Sequence, residues 1–550
     1  MRFSRRVTYC LLFALVLGAL VFRYPLAKGH EMGSDTTFIH SLSDSLVDHG
    51  FAMWILHPLS YFGLYALSYP SAMPFLFGSF SVVSGVSIEG SMLLVGFVFS
   101  IAGAVSAFVA ARAAKDDNRL ALIVALLFSI GPFYIKDTTW VGSSRGFVTA
   151  LVPIIFFLLL RHLRTRDVRY LALCTTVVVL MASIHRMGFL ALLVLIAYAF
   201  AIPLHRITQR LRFVLFRYET PFRLLSMGAS VSGFFVLFYL QILFPGAGGS
   251  DIVSEYSNGA LFQGTSFPVL VANLMVSLVG KVGILMPLIG VGLVRLAWDR
   301  PKEARDKFLL VTVLVMIPLL PLRDYISEFL TYIFVVLLAL GLVGRLRKVP
   351  RRKLLTAAMT TLLIMSSLAF SWAMKDYWSD RNYTDKPIPN ALYSTSLYAR
   401  TQTYGSILSN EGLSQGRLAA ITGRPVLPFG GASIHWFSPQ QLTFGFVDGS
   451  RLSVHGIPPT SISFQTDSIF VADGIPNAKD DYETMFYKSL NDPTGQRLQQ
   501  SYGVQYIFVD KSHASQFQSY IWRDSPLLVD AEWNCYKTFD SGPYALWALG

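Results

Sequence analysis

Apolar runs of bilayer length recur through the first 374 residues, each bounded by polar or basic residues. A hydrocarbon core of about 30 Å takes ~20 apolar residues as a helix, and only helices or closed barrels satisfy every backbone group within it. The runs are read as eleven spans, at 7–22, 88–111, 120–135, 147–160, 170–184, 187–204, 225–244, 276–296, 308–322, 326–343 and 354–373. The stretch 61–83 is also apolar but is broken by Pro70 and Pro74. It is read as an interfacial or partly re-entrant hairpin, because one more span would invert everything after it. With 53% hydrophobic and only 14% charged residues, the chain has too little charge for a soluble protein of its size.

A net charge of +13 raises the question of nucleic acid, but the basic residues are gathered in the short loops between apolar runs. That distribution records membrane orientation instead. With the N-terminus cytoplasmic, the inner segments hold twenty-six Lys and Arg; the outer segments before residue 374 hold six, Arg23, Lys28, Lys136, Arg145, Arg186 and Arg323. No nucleic-acid partner is expected, and the cell membrane is the expected location. The opening MRFSRR and the run 7–22 have the layout of a signal peptide without a small-x-small cleavage site, so a retained anchor is expected. Cys10, Cys174 and Cys535 build no disulfide framework.

The orientation makes the few outer charges informative, since ionisable groups at membrane depth are costly and tend to face a polar cavity. Residues 23–87 form an outer juxtamembrane loop. Within it, GSDTTFIHSLSDSLVDHG (33–50) is predicted to be an amphipathic helix with Asp35 at its start and His40, Asp44 and Asp48 on its polar side. Its apolar residues Phe38, Ile39, Leu42 and Leu46 are suited to lie against a bilayer surface. Ser34 or Asp35 could equally serve as a plain helix cap. Lys136, Asp137 and Arg145 stand in the loop YIKDTTWVGSSRG, His185 and Arg186 in a tight turn, and Arg323, Asp324 and Glu328 in PLRDYISEFL. Four loops far apart in sequence thus bring acids and bases to one membrane face.

The Gly- and Ser-rich loop 244–267 suits either a mobile cover or a plain connector. Beyond residue 374 the composition turns polar, with β-like stretches at 424–427, 461–464 and 504–509 among weak helices. Residues 375–550 are therefore expected to be an extracytoplasmic mixed α/β domain after a transmembrane domain, 1–374. Asn382-Tyr383-Thr384 is a glycosylation sequon in that outer compartment.

Several chemistries lack their signatures. The sequence has no phosphate loop, no strand-associated GxGxxG, and no HExxH or CxxC. Gly142–Gly146 matches GxSxG with Ser144 at its centre, but a nucleophile elbow needs a strand-to-helix turn and this one lies between two spans. What remains is a carboxylate able to take a proton from a hydroxyl, and cations able to hold phosphate and stabilise its departing charge. Beside a lipid-embedded bundle, these suit sugar transfer from a polyprenyl-phosphate carrier.

At this level the chain resembles the GT-C superfamily of integral membrane glycosyltransferases. The resemblance rests on the acid after the first span in GSDTTFIH, the Pro-containing HPLSYFGLYALSYPSAMPFLFGSFSVVSGVS, the acid-bearing YIKDTTWVGSSRG, and the arginine of PLRDY. LAAITGRPVLPFGG and SYGVQYIFVDKS look like parts of an outer α/β domain in such proteins. It implies a multi-pass helical bundle that transfers a sugar from a lipid-phosphate donor to a glycan, lipid or protein acceptor. Asp35 would be the catalytic base and Asp137 the second acid. Arg323 would contact the lipid-linked phosphate, with Arg145, His185, Arg186, Tyr325 and His40 as further substrate-binding candidates. In the oligosaccharyltransferase branch Asp35 and Asp137 would instead bind a divalent cation, Mg2+ or Mn2+. The chain departs from that branch: it has no WWDYG-like motif, and Asp137 stands in KDTT rather than in a DxD or DxE pair. A flippase, transporter or polymerase component of envelope glycan assembly is the reading from another class, as is a non-catalytic scaffold.

Overall fold

The computed structural model describes residues 4–25, 29–50, 61–62, 70–215, 277–298, 302–322, 324–347, 353–381, 387–424, 426–427, 478–511 and 525–549. Helices lie in each predicted span that falls within these residues, although the span 276–296 is interrupted at 283–287, and the span 225–244 and the loop 244–267 lie outside them. Among the described residues, four helical stretches are long and apolar enough to cross a bilayer: α1 (Arg5–Arg23), α4 (Ile88–Ala114), α7 (Ser144–Thr165) and Met187–His205, most of which lies in α9 (Ala191–Leu215).

Local chemistry sets where these helices begin and end. The Ser4 hydroxyl accepts from Val7 N–H at the start of α1, and Ser87 does the same for Gly90 at the start of α4. The predicted span 120–135 is broken in two. Helix α5 (Asn118–Ser129) stops before Gly131, and Pro132 restarts the chain as the short α6 (Pro132–Lys136), where its missing N–H costs nothing. Helix α8 (Arg169–Ile184) ends at His185, whose Nδ1 accepts from Met187 N–H in the 3-10 turn Arg186–Leu190.

Helix α7 is buried along most of its length, while α1 is mostly exposed. The centre of the bundle is therefore α7 with α4 and α5. Phe147, Phe156, Phe128 and Tyr332 form its aromatic core. Large apolar side chains such as Phe13, Val21, Val98 and Phe200 point outward from α1, α4 and α9. A solvated protein does not leave so many exposed, and a lipid-facing surface does.

The amphipathic helix forms as α2 (Ser34–His49) and ends at Gly50 in the left-handed conformation. Two expectations about it are corrected. Its N-cap position is Gly33, so Ser34 and Asp35 stand in the first turn and not at the cap. Its apolar face does not meet a bilayer surface. Ile39, Leu42 and Leu46 are buried in one core with Met73 and Phe77 of α3 (Ala72–Ser84). Burying these side chains inside protein takes as much apolar area from water as a membrane surface would, and also fixes the helix in place.

Towards the C-terminus the bundle continues through α10 (Leu288–Trp298), α11 (Ala304–Met316), α12 (Asp324–Phe329), α13 (Thr331–Arg347) and α14 (Lys353–Arg381). There follows, among the described residues, a five-stranded sheet of order β2-β1-β3-β5-β4, where β1 is Ser406–Ser409, β2 Val426–Leu427, β3 Val504–Asp510, β4 Tyr536–Asp540 and β5 Tyr544–Ala548. Strands β1, β2 and β3 are parallel, and β5 runs antiparallel to both β3 and β4. Two predicted β-like stretches coincide with β2 and β3, and 461–464 lies outside the described residues. Helices α15 (Asn390–Gln402) and α16 (Gly412–Thr422) cover the sheet through Leu392, Ala399 and Leu418, and connect it to α2. There Arg400 reaches Asp44 at 3.4 Å and Asp48 at 4.0 Å.

Candidate active site

The site is built where α2 meets the loop between α6 and α7. A short parallel bridge pairs Met32 with Val141, and Met32 N–H donates to Trp140 C=O at 3.1 Å. The Thr36 hydroxyl accepts from Gly142 N–H at 2.9 Å while it donates to Met32 C=O. These bonds set the first turn of α2 beside the start of α7. Asp35 Oδ2 thereby lies 2.6 Å from Arg145 Nη2, with Ser143 Oγ at 3.5 Å. The Asp35 side chain is 48% exposed and Arg145 33%, so the pair stands at the open side of the cluster.

Behind the pair lie groups with far less access to solvent. Arg145 Nη1 is 3.9 Å from Glu328 Oε1, which accepts from Lys281 Nζ at 3.0 Å. The Arg145 guanidinium lies over the Tyr325 ring, 5.9 Å from its centre, and His185 meets the same ring edge-on at 5.2 Å. Asp137 closes α6 and is buried against α7, where any side chain at Gly146 would collide with the Asp137 carbonyl. Asp137 Oδ2, Glu328 Oε2 and Arg145 Nε are buried without a hydrogen-bond partner among the described residues.

The two aspartates are driven in opposite directions. Enclosure by protein would raise the pKa of Asp35, but the charge and hydrogen bond of Arg145, helped by His185 and Lys136, hold it below the ordinary carboxylate value. For Asp137 burial wins. With the negative charge of Glu328 adding to it, burial outweighs Arg145, Lys136 and Lys281 and pushes the carboxyl up to about 6. Asp35 is thus ionised at neutral pH and able to accept a proton, while Asp137 titrates near the physiological range.

The sequence candidates divide accordingly. Asp35, Arg145, Tyr325 and His185 gather in one place, and Asp137 interacts electrostatically with the same arginine. Arg186 opens the 3-10 turn next to His185, but its side chain, like Arg323 as a whole, lies outside the described residues. His40 stands apart from Asp35. It is buried against Glu31, with Nδ1 2.8 Å from the carboxylate, and serves to fix α2. Ser144 begins α7 in a helical setting with no elbow, and its hydroxyl has no partner among the described residues.

Two members of the cluster were missed as site residues. Lys281 is a charge inside the apolar run 276–296, away from the basic end marked by Arg295, and such a charge is itself a signal of an inward-facing group. Glu328 was visible only as one of the outer charges. As for a divalent cation, no three Asp, Glu, His or Cys side chains gather as ligands among the described residues, and the Asp35 carboxylate already holds a guanidinium. Among the described residues the ligand set for such an ion is not assembled.

No family model and no curated protein matches the sequence. Solved structures do resemble it. The oligosaccharyltransferase of Archaeoglobus fulgidus, solved with a tethered acceptor peptide, aligns with a TM-score of 0.56 at 12% identity, over 92% of this chain and 69% of its own. ArnT from Cupriavidus metallidurans, solved with undecaprenyl phosphate, aligns at 0.56 and 11%, over 99% of this chain and 98% of its own. The arabinofuranosyltransferase AftD from mycobacteria aligns at 0.53 and 18%, over all of this chain but 42% of its own. Identities this low speak to architecture alone. That architecture is what the chain shares with them: its fold is that of the oligosaccharyltransferase, ArnT and AftD structures.

Proposed function

We propose that this protein is a membrane glycosyltransferase that moves a sugar from a polyprenyl-phosphate donor to an acceptor on the extracytoplasmic face. The observation that carries the proposal is the half-exposed Asp35 carboxylate set 2.6 Å from Arg145, in front of the buried Glu328 and Lys281. A base at the mouth and cations beside it are what such a transfer needs. The lipid phosphates in two of the similar structures, dolichol-phosphate in the archaeal enzyme and undecaprenyl phosphate in ArnT, support the donor class.

In the proposed reaction the acceptor hydroxyl approaches Asp35, which takes its proton. The oxygen forms a bond to the anomeric carbon as the bond from that carbon to the phosphate oxygen breaks. The polyprenyl phosphate leaves with the electron pair, its charge met by Arg145 and by Arg323. A single displacement inverts the anomeric centre. Arg145 supplies positive charge where an oligosaccharyltransferase-type reading would require a metal ion, so transfer in excess chelator is expected.

The test is transfer of a radiolabelled sugar from a synthetic polyprenyl-phosphate donor by the purified protein in liposomes, with the anomeric configuration of the product determined. Label on an acceptor with inverted configuration supports the proposal. Movement of the labelled lipid across the bilayer without transfer would support a flippase instead.

A further inference from the structure

We infer that Arg145 is the anion-binding residue of the donor site and that Asp35 holds it in the absence of donor. The arriving phosphate then draws the guanidinium off Asp35 and frees the base. The inference rests on the glycosyltransferase reading and adds an order of events: donor before deprotonation.

The geometry of Arg145 is that of a side chain with two seats. One nitrogen bonds Asp35 at 2.6 Å, on the open side of the cluster. The other lies 3.9 Å from Glu328, too long for a hydrogen bond and short enough for attraction between charges. Glu328 is itself anchored by Lys281 at 3.0 Å and is only 2% exposed, so it stays in place when the arginine moves. Arg145 Nε is buried with no hydrogen-bond partner among the described residues, which leaves a donor to spare beside the forked nitrogens. A guanidinium offers paired donors that match phosphate oxygens. The Tyr325 ring beneath it provides a face along which the planar group can slide without losing its stacking. A half-exposed ion pair is weak enough to be exchanged, and a phosphate with two bonds to the fork is the stronger partner. Asp35 bonded to Arg145 is also a poorer base than Asp35 alone, because its charge is already neutralised.

Removing the Asp35 charge should strengthen binding of a lipid phosphate, because the arginine no longer has to be taken from it. The probe is undecaprenyl phosphate, with undecaprenol as control, titrated into the purified full-length protein in nanodiscs. Asp35→Asn is expected to bind the phosphate roughly two- to fivefold more tightly than the wild type, the range an exposed ion pair supports. Arg145→Gln should bind it more weakly. In the Arg145→Gln background the gain from Asp35→Asn should vanish, since the cycle isolates the coupling between the two residues. A gain of equal size in that background would show mere charge repulsion and overturn the inference, as would no gain in the wild-type background. Asp35→Ser gives the same comparison should the asparagine variant not fold. A wild-type protein that binds undecaprenol as well as its phosphate would instead sink the donor reading itself, and the inference with it.

Discussion

The Thr36 hydroxyl accepts the Gly142 amide at 2.9 Å across 106 residues of sequence, and this bond fixes the base-bearing turn of α2 to the loop that delivers Arg145. Thr36 is fully buried, so a substitution that keeps its shape but loses its oxygen leaves that amide without a partner. Thr36→Val should cost about 1–3 kcal/mol in stability. It should lower kcat more than it alters donor KM, because the Asp35–Arg145 spacing is disturbed. Thermal unfolding and steady-state kinetics check both halves.

His40 gives α2 a dependence on pH. Burial alone would favour its neutral form, but Glu31 at 2.8 Å, with Asp44 and Glu89 adding, raises its pKa above the ordinary value. Such a group contributes stability that is fully present below the unfolded-state pKa, about 6.5, and is lost as pH rises through the folded value. Protection factors of the amides over 34–49, taken relative to intrinsic exchange at each pH, should therefore fall from neutral to alkaline pH in the wild type. In His40→Gln the same segment should be less protected at neutral pH, and its protection should change little further.

Asp137 gives a slope of the same sign at lower pH. Its pKa is about 6 folded and near the ordinary 3.8 unfolded, so the folded protein binds more protons between those values. Its share of stability therefore falls as pH rises from about 4 to 6. Asp137→Asn should remove that slope and raise the apparent Tm at pH 7. An unchanged slope would contradict the burial argument.

Arg323 is assigned by the sequence resemblance to the departing phosphate. Arg323→Ala should raise the donor KM and leave the acceptor KM unchanged, and normal donor affinity would remove it from the site.

The sequence made the bundle legible because burial in lipid forces long apolar runs and basic flanks, and both are visible without tertiary contacts. It also indicated that Asp35 and Arg145 would share a face, since the charge count alone sets both on one side. Side-chain partners were harder to read. Asp35 offered itself as a helix cap on local grounds, and a partner 110 residues away took the carboxylate instead. His40 sits on the polar side of α2 as expected, yet it turns to Glu31, an acid just before the helix that carried no pattern of its own. Lys281 was absorbed into the apolar run 276–296, where its neighbours on both sides are apolar. In each case a through-space contact decided the role, and periodicity carries no record of such contacts.

The most direct measurement is the rate of sugar transfer from a polyprenyl-phosphate donor by purified wild-type protein and by Asp35→Asn under identical conditions. The wild type should transfer the sugar, and the variant should do so at a rate lower by about 10²–10⁴, the usual loss when general-base help is removed. Donor binding should be retained. Wild-type turnover by Asp35→Asn would contradict the central claim.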